Sequence, residues 1–354
     1  MKKLKVLLAG YYGCGNLGDD ALLLALLQQL KDTSISYSVL GGEYSEQADF
    51  LNMPWIPRMD LKQVRRAIHK HDVLVFGGGS LFQDITSIKS LLYYAMLVFY
   101  AKLARKKVFL LGQGIGPFHT TFGRYLAALV FKKADGVTAR DPESFDWLKK
   151  IGRRSPVAQT ADLAFLLEPN MLVKKKGQDL SKPKIGVAPR IGKNLTWEEG
   201  IDLFSKLAQF LAEQGVDPYW VGMHLEEDVP LIHALQEQTG FPILTNSMSP
   251  LNQLNEIGTL DGMVAMRLHA GILATIQNLP VLMISYDPKV QAFAELMGFP
   301  FLDIEELKSS DQTLNQIGPF WNQEEFFQKM IKEKKEEMKL RALKNISFLF
   351  ENLY

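Results

Sequence analysis

Short apolar runs alternate along this chain with longer stretches in which apolar positions recur every three or four residues. The short runs predict buried strands and the longer stretches predict amphipathic helices. Their regular alternation predicts parallel sheets joined by crossover helices. In the first half, strands are expected near Lys5–Ala9, Tyr37–Leu40, Asp72–Phe76, Val108–Leu111 and Gly136–Thr138. Helices are expected near Asp19–Leu30, Leu61–His69, Ser87–Arg105, Phe122–Lys132 and Pro142–Lys150. The last opens on an Asp141 cap with proline at its first position.

The polar stretch 174–183, from Lys174 through Gly177 to Pro183, reads as a linker. After it the pattern restarts, with strands expected at Lys184–Ala188, Pro218–Val221, Ile243–Leu244, Gly262–Ala265 and Val281–Ser285. Thr196-Trp197-Glu198-Glu199 is a capping-box sequence for a helix running to about Gln214, and Ser249-Pro250 starts another. One long helix closes the chain, from about Glu324 to Asn352, with Asn322 and Glu325 fitting its cap. Its stripe of Phe327, Ile331, Met338, Ala342, Ile346, Leu349 and Leu353 must pack on something, and the first domain is the candidate.

The expected fold class is therefore α/β, with two Rossmann-like open parallel-sheet domains facing a cleft. By analogy of layout this is GT-B-like, with a long C-terminal helix. The expected boundaries are a first domain at 1–173, the linker at 174–183, a second domain at 184–321 and a helix at 322–354 packing back. A length of 354 residues suits two domains. A single cysteine, Cys14, excludes an intrachain disulfide.

Met1-Lys2-Lys3-Leu4-Lys5 and the apolar residues after it resemble the start of a signal peptide, but the run is too short for an h-region. The longest apolar run, Leu91 to Ala101, is about half of what a membrane span needs. A cytoplasmic protein is expected. The net charge of +1 conceals a split, because residues 1–172 carry 22 Lys+Arg against 15 Asp+Glu and residues 173–354 carry 18 against 24. Basic clusters at Arg65-Arg66, Arg105-Lys106-Lys107, Lys132-Lys133 and Lys149-Lys150 are either solvated helix ends or a face that meets an anionic surface such as lipid headgroups. No aromatics interleave with these clusters as a nucleic-acid groove would require, so no nucleic-acid partner is expected.

Six short motifs bear on chemistry. Gly10-Tyr11-Tyr12-Gly13-Cys14-Gly15-Asn16-Leu17-Gly18-Asp19-Asp20 follows an expected strand and opens a helix, the geometry in which backbone approaches a ligand closely. It lacks the acidic residue of a dinucleotide fingerprint at the end of the next strand. Phe76-Gly77-Gly78-Gly79-Ser80-Leu81-Phe82-Gln83-Asp84 and Leu111-Gly112-Gln113-Gly114-Ile115-Gly116-Pro117 repeat the device on two further strands. Three glycine-rich strand ends in one domain are expected to line one sheet edge, where open α/β sheets bind ligands. Gly13, Gly15, Asn16, Asp19, Gly78, Gly79, Asp84, Gln113 and Gly114 are the substrate-binding candidates there.

Arg140, in Thr138-Ala139-Arg140-Asp141, sits just past a strand, where a guanidinium can grip a carboxylate or phosphate through two parallel hydrogen bonds. Arg267 and His269, in Ala265-Met266-Arg267-Leu268-His269-Ala270-Gly271, stand at a strand-to-helix junction of the second half. Imidazole suits proton transfer near neutrality, so His269 is a candidate acid or base. Lys289, in Tyr286-Asp287-Pro288-Lys289-Val290, lies in the first turn of a helix, where a lysine opposes the helix dipole and a compensating anion is expected. No metal-ligand spacing, nucleophile elbow or Walker loop occurs, so neither metal nor cofactor is expected.

In this order the motifs resemble those of the polysaccharide pyruvyl transferase family, specifically the CsaB type of cell-wall pyruvylation. The resemblance runs from about Val6 to Phe293 and includes Asp162. It implies transfer of the enolpyruvyl skeleton of phosphoenolpyruvate to two hydroxyls of one sugar, leaving a ketal and phosphate. For the CsaB type it implies the 4- and 6-hydroxyls of an N-acetylmannosamine residue in a cell-wall polysaccharide precursor that anchors surface-layer proteins. The acceptor is lipid-linked in this picture, which places the protein in the cytoplasm with peripheral contact at the inner membrane face. The resemblance puts Arg140, His269 and Lys289 at the phosphoenolpyruvate site, phosphoenolpyruvate being a co-substrate, with Arg267 as a further cation. His269 is the expected proton donor, and Asp19 or Asp84 the expected base for the sugar hydroxyl. Two rival readings stay open on the same architecture: a nucleotide-sugar glycosyltransferase, and a non-catalytic sugar-phosphate binding module.

Overall fold

A computed structural model describes residues 3–31, 33–42, 53–85, 87–152, 155–169, 182–192, 195–245, 247, 249–309 and 324–353. Most of the expected linker, the Asn322 cap and the side chains of Glu325 and Phe327 lie outside the described residues. The chain divides into two compact units, Met1–Leu167 with Glu337–Tyr354, and Glu168–Glu336. The final helix thus begins in the second unit and ends in the first.

The first unit is built on seven parallel strands: β1 (Leu4–Ala9), β2 (Ile35–Gly41), β3 (Trp55–Pro57), β4 (Val73–Gly77), β5 (Lys107–Gln113), β6 (Gly136–Ala139) and β7 (Val157–Gln159). Their order is β3-β2-β1-β4-β5-β6-β7, so the direction of winding reverses between β1 and β4. Alternate side chains Leu7, Ala9, Leu74, Phe76, Val108, Leu110, Val137 and Ala139 form one face. That face is covered by α2 (Leu61–Lys70), α3 (Ile88–Leu103), α4 (Thr121–Lys133) and α5 (Pro142–Lys150). The other face meets α1 (Leu17–Leu30), whose side chains are almost all buried because it is apolar all round. The end of the final helix lies there too, with Phe348 against Gly136 and Asn345 beside Gly112.

The second unit holds β8 (Lys184–Ala188), β9 (Asp217–Trp220), β10 (Gly262–Ala265), β11 (Val281–Ser285) and β12 (Phe301–Asp303), all parallel, in the order β12-β11-β10-β8-β9. Here the winding reverses between β8 and β10. Helices α6 (Trp197–Glu213) and α7 (Asp228–Thr239) pack on one face around Trp220. The other crossover helices are α8 (Pro250–Ile257), α9 (Leu268–Ile276) and α10 (Pro288–Met297), with α11 (Ile304–Ser309) after the last strand. The Thr196 capping box on α6 is present as expected.

Two differences from the sequence reading have simple causes. The expected strand Ile243–Leu244 is a single bridge from Ile243 to Trp220, too short to extend the sheet. The edge strands β3, β7 and β12 span three residues each, too few to show alternation. Helix α12 (Glu324–Leu353) buries Ile331, Met338, Ala342, Leu349 and Leu353 of its expected stripe, leaves Ile346 only partly buried, and also buries Phe348 and the polar Asn345.

Candidate functional site

The three glycine-rich loops of the first unit do meet at the carboxyl edge of its sheet, around the β1–β4 reversal. Their backbone donors, however, are largely satisfied within the protein. Gly13 N donates to Asp20 Oδ1 at 2.7 Å, and Gly18 N and Asp19 N donate to Asn16 Oδ1, which caps α1. Gly78 N donates to Leu111 O and Gly114 N to Gly79 O. Several glycines serve side-chain crossings. The Tyr12 ring lies over Gly10, its hydroxyl donates to Gly77 O at 3.0 Å, and a Cβ on Gly77 would stand 2.6 Å from that hydroxyl. A Cβ on Gly114 would sit 2.8 Å from the Arg140 guanidinium. Gly13, Gly15, Gly78 and Gly79 all have positive φ, so these turns exclude ordinary side chains.

Asp84 requires a correction. Its carboxylate accepts from His119 N, Thr120 N and the Thr120 hydroxyl, at 2.5 to 2.9 Å. Burial raises its pKa, but these three donors outweigh that and hold it below the usual carboxylate range. It ties the loop after β4 to the start of α4 rather than facing a ligand as a base. Gln113 is likewise internal: fully buried, it donates from Nε2 to Gly78 O and Leu111 O. Asp19 stays half-exposed on the first turn of α1, its Oδ1 3.2 Å from where a Cβ on Gly79 would be.

Arg140 has an internal partner. Its Nη1 donates to Asp162 at 2.8 Å and its Nη2 to Ser80 at 3.2 Å, with the side chain mostly buried. Asp162 in turn caps the short 3-10 helix Leu163–Leu166. The arginine therefore links β6, the loop after β4 and the segment after β7. A cation missed in the sequence, Arg58, stands at the same edge. Its guanidinium lies 4.9 to 5.4 Å from the rings of Tyr11, Tyr93 and Tyr94 and donates to Cys14 Sγ at 3.3 Å. Burial raises the Cys14 thiol despite Arg58, so it stays protonated at neutral pH.

In the second unit His269 and Lys289 occupy the same register on neighbouring elements. Each is the second residue of the helix that follows its strand, α9 after β10 and α10 after β11, and each is partly buried. Asp287 caps α10 by accepting from Lys289 N at 2.9 Å. No side chain caps α9.

Arg267 differs from expectation. Its Nε donates to Asp228 Oδ2 at 3.1 Å and its Nη2 to Glu227 Oε2 at 2.7 Å, with a further bond to Asp228 Oδ1. Asp228 is buried and also accepts from Met223 N. Arg267 is thus chiefly a clamp between the end of β10 and the start of α7. Burial works against ionised Glu227, but Arg267 and Arg190 bring its carboxyl below its ordinary value.

No motif in the sequence points to Arg190. It stands two residues past β8, the strand beside the reversal, donates to Tyr286 Oη at 2.6 Å and lies over that ring at 5.2 Å. Its Nη2 is 3.5 Å from Glu227, which it shares with Arg267, and its side chain is 25% exposed. The available signal was positional: an arginine at the end of the first strand after the linker.

Among the described residues no group of three His, Cys, Asp or Glu side chains is arranged to hold a metal ion. The carboxyl edge of the second sheet carries Arg190 after β8, Arg267 and His269 after β10, and Tyr286 and Lys289 after β11, so that basic side chains and an imidazole share three neighbouring strand ends.

Residues 16–288 match the family model described as polysaccharide pyruvyl transferase. The chain belongs to that family. The matched span includes Asn16, Arg140, Arg267 and His269, and ends one residue before Lys289. The amylovoran biosynthesis protein AmsJ of Erwinia amylovora is 23% identical over 94% of this chain and 96% of its own. Among solved structures, Anabaena Alr3699/HepE in complex with UDP-glucose covers 99% of both chains with a TM-score of 0.63 at 13% identity. A glycosyltransferase from Rickettsia africae covers 100% of this chain and 99% of its own, with a TM-score of 0.65 at 11% identity. The S. aureus MnaA–UDP structure covers 94% and 91%, with a TM-score of 0.64 at 14% identity. At such identities the likeness is one of fold, and it makes this pyruvyl transferase family member GT-B-like.

Proposed function

We propose that this chain transfers the pyruvyl group of phosphoenolpyruvate to a sugar of a lipid-linked cell-wall polysaccharide precursor and releases phosphate. Within the family the proposal is of the CsaB type, with an N-acetylmannosamine residue as acceptor, ketalised at its 4- and 6-hydroxyls, and a product that anchors surface-layer proteins. The protein would act in the cytoplasm at the inner face of the membrane. The observation that carries the reading is that His269 and Lys289 stand at the same position of neighbouring strand-to-helix turns, with Arg190 bonded to Tyr286 of the second turn, in a chain of this family.

Phosphoenolpyruvate bears a phosphate and a carboxylate, so its site needs cations. Lys289 and Arg190 are proposed to hold those groups, while Arg267 sets the edge through its internal clamp. Arg140, which already meets Asp162, Ser80 and, through Nε at 3.8 Å, Asp141, is proposed to face an anionic group of a substrate. His269 delivers a proton to the methylene carbon, which leaves the central carbon electrophilic. One sugar hydroxyl attacks that carbon and gives up its proton to the departing phosphate. The C–O bond to phosphate breaks, the phosphate leaves with its electron pair, and the second hydroxyl closes the ketal, its proton restoring His269. Fixed cations at the departing phosphate lower the barrier by electrostatic preorganisation.

Incubation with phosphoenolpyruvate and an N-acetylmannosamine-containing acceptor tests the reading directly. Phosphate release with gain of a pyruvate ketal on the acceptor supports it. A second reading, a nucleotide-sugar transferase, draws on the UDP and UDP-glucose bound in neighbours of the same fold. Nucleotide release from a UDP-sugar, with no phosphate from phosphoenolpyruvate, selects that reading instead. Absence of both products selects the sugar-phosphate binding module.

A further inference from the structure

Helix α3 has an unusual outward side. Its core-facing residues are Leu91, Tyr94, Ala95, Leu97, Val98 and Ala101. The opposite side should be polar in a surface helix, yet it carries Ile88, Leu92, Met96, Phe99 and Leu103. Those positions recur at spacings of three and four, so they form one straight stripe. Leu92 is 46% exposed, Met96 38% and Leu103 81%.

The neighbours extend the stripe into a patch. Helix α4 packs beside α3 and exposes Phe122 at 55% and Tyr125 at 64%. The turn into α2 exposes Met59 at 75% and Leu61 at 56%, and it is tied to α3 by the Tyr93 hydroxyl donating to Arg58 O. All three helices cover the same face of the sheet, and they start at the edge that carries the glycine-rich loops. Asp84 holds that arrangement by joining the loop before α3 to the start of α4.

Charge is the second observation. Helices α2, α3 and α4 contain nine Lys and Arg and no Asp or Glu. Lys62, Arg65, Arg66, Lys89, Arg124, Lys132 and Lys133 are exposed around the apolar residues. A face with apolar residues among cations of one sign matches an anionic lipid surface, where side chains enter the headgroup region and lysines meet phosphates. A second copy of this chain is a poor occupant, because a two-fold contact would set the same cations against each other.

We propose that this face is a membrane-docking surface that seats the first unit on an anionic bilayer. No helix among the described residues is long and apolar enough to cross a membrane, so the contact is interfacial. The proposal stands on this surface alone and holds whichever reaction the family site performs. It would bring the glycine-rich edge to the rim of the bilayer.

The test is flotation of the full chain with vesicles of phosphatidylcholine alone and of phosphatidylcholine with about 30% phosphatidylglycerol. The protein is expected to float with the anionic vesicles, to leave the neutral ones, and to dissociate in roughly 0.5 M salt. The variant Leu92→Ser/Met96→Ser/Phe122→Ser is expected to lower the partition coefficient by at least about tenfold. Lys89→Glu/Arg124→Glu should act similarly, while Lys206→Glu, on α6 of the other unit, should not. Melting temperatures and phosphate release on a water-soluble acceptor should stay near wild type, since all five residues are exposed. Failure of the wild type to float, or serine and glutamate variants that float as well as it does, overturns the proposal. A wild-type dimer in light scattering that the triple serine variant dissociates also overturns it, in favour of a second copy.

Discussion

Arg190 and His269 divide the chemistry proposed for the second unit. Arg190 already neutralises part of Glu227 and bonds Tyr286, yet a quarter of its side chain stays open. Replacing it with methionine should raise the KM for phosphoenolpyruvate about tenfold or more, the worth of one charge-assisted hydrogen bond. Steady-state phosphate release measures this. His269→Ala should lower kcat by about 10²- to 10⁴-fold with a modest change in phosphoenolpyruvate affinity. Near-normal turnover in that variant removes His269 from the mechanism. Two other histidines govern stability instead. Burial lowers His71 and His224 from their ordinary 6.5, and His71 uses both ring nitrogens, on Ala67 O and the Ser38 hydroxyl. Below pH 6.5 the unfolded chain therefore binds more protons than the folded one. Stability should fall as pH drops from 6.5 towards the depressed native values, and His71→Gln should flatten that slope in urea titrations.

At the scale of elements, side-chain bonds between distant segments fix where helices lie. Asn345 is the main case on α12. It is fully buried, accepts from the Thr138 and Thr160 hydroxyls, and donates to Ala161 O and Ala342 O. Replacing it with alanine strands those buried groups, each at about 1–3 kcal/mol before relaxation. A loss of about 2–4 kcal/mol in equilibrium unfolding is the expected result. The stripe of α12 was legible because apolar spacing alone defines it. Asn345 was not, since a lone asparagine in a helix reads as surface until its partners on β6 and after β7 are brought beside it. The same reason hid the role of Arg267, whose partners Glu227 and Asp228 lie about forty residues earlier.

For the molecule as a whole, the chain closes its first unit with its last residues. Glu337–Tyr354 belong to the same unit as Met1–Leu167. Lys107 Nζ donates to Asn352 O and Leu353 O, and Phe348 lies against Gly136 beside Phe109. A chain ending at Glu336 should therefore expose the part of the seven-stranded sheet around Gly112 and Gly136. It should lose cooperative melting of that unit and bind hydrophobic dye, whereas a truncation confined to Tyr354 should not.

The alternation of strand and helix, the parallel sheets and the glycine-rich strand ends followed from the order of apolar and small residues. These are local properties: burial on both faces demands continuous apolar runs, and turns at positive φ demand glycine. Family membership was legible in the same way, through short motifs in order. Only the tertiary structure decided which polar groups were already satisfied. It turned Asp84 into a tie to His119 and Thr120, gave Arg140 to Asp162 and Arg267 to Asp228, and brought forward Arg190 and Arg58. A charged side chain's role depends on what neutralises it, and strand order sets those neighbours across long sequence separations.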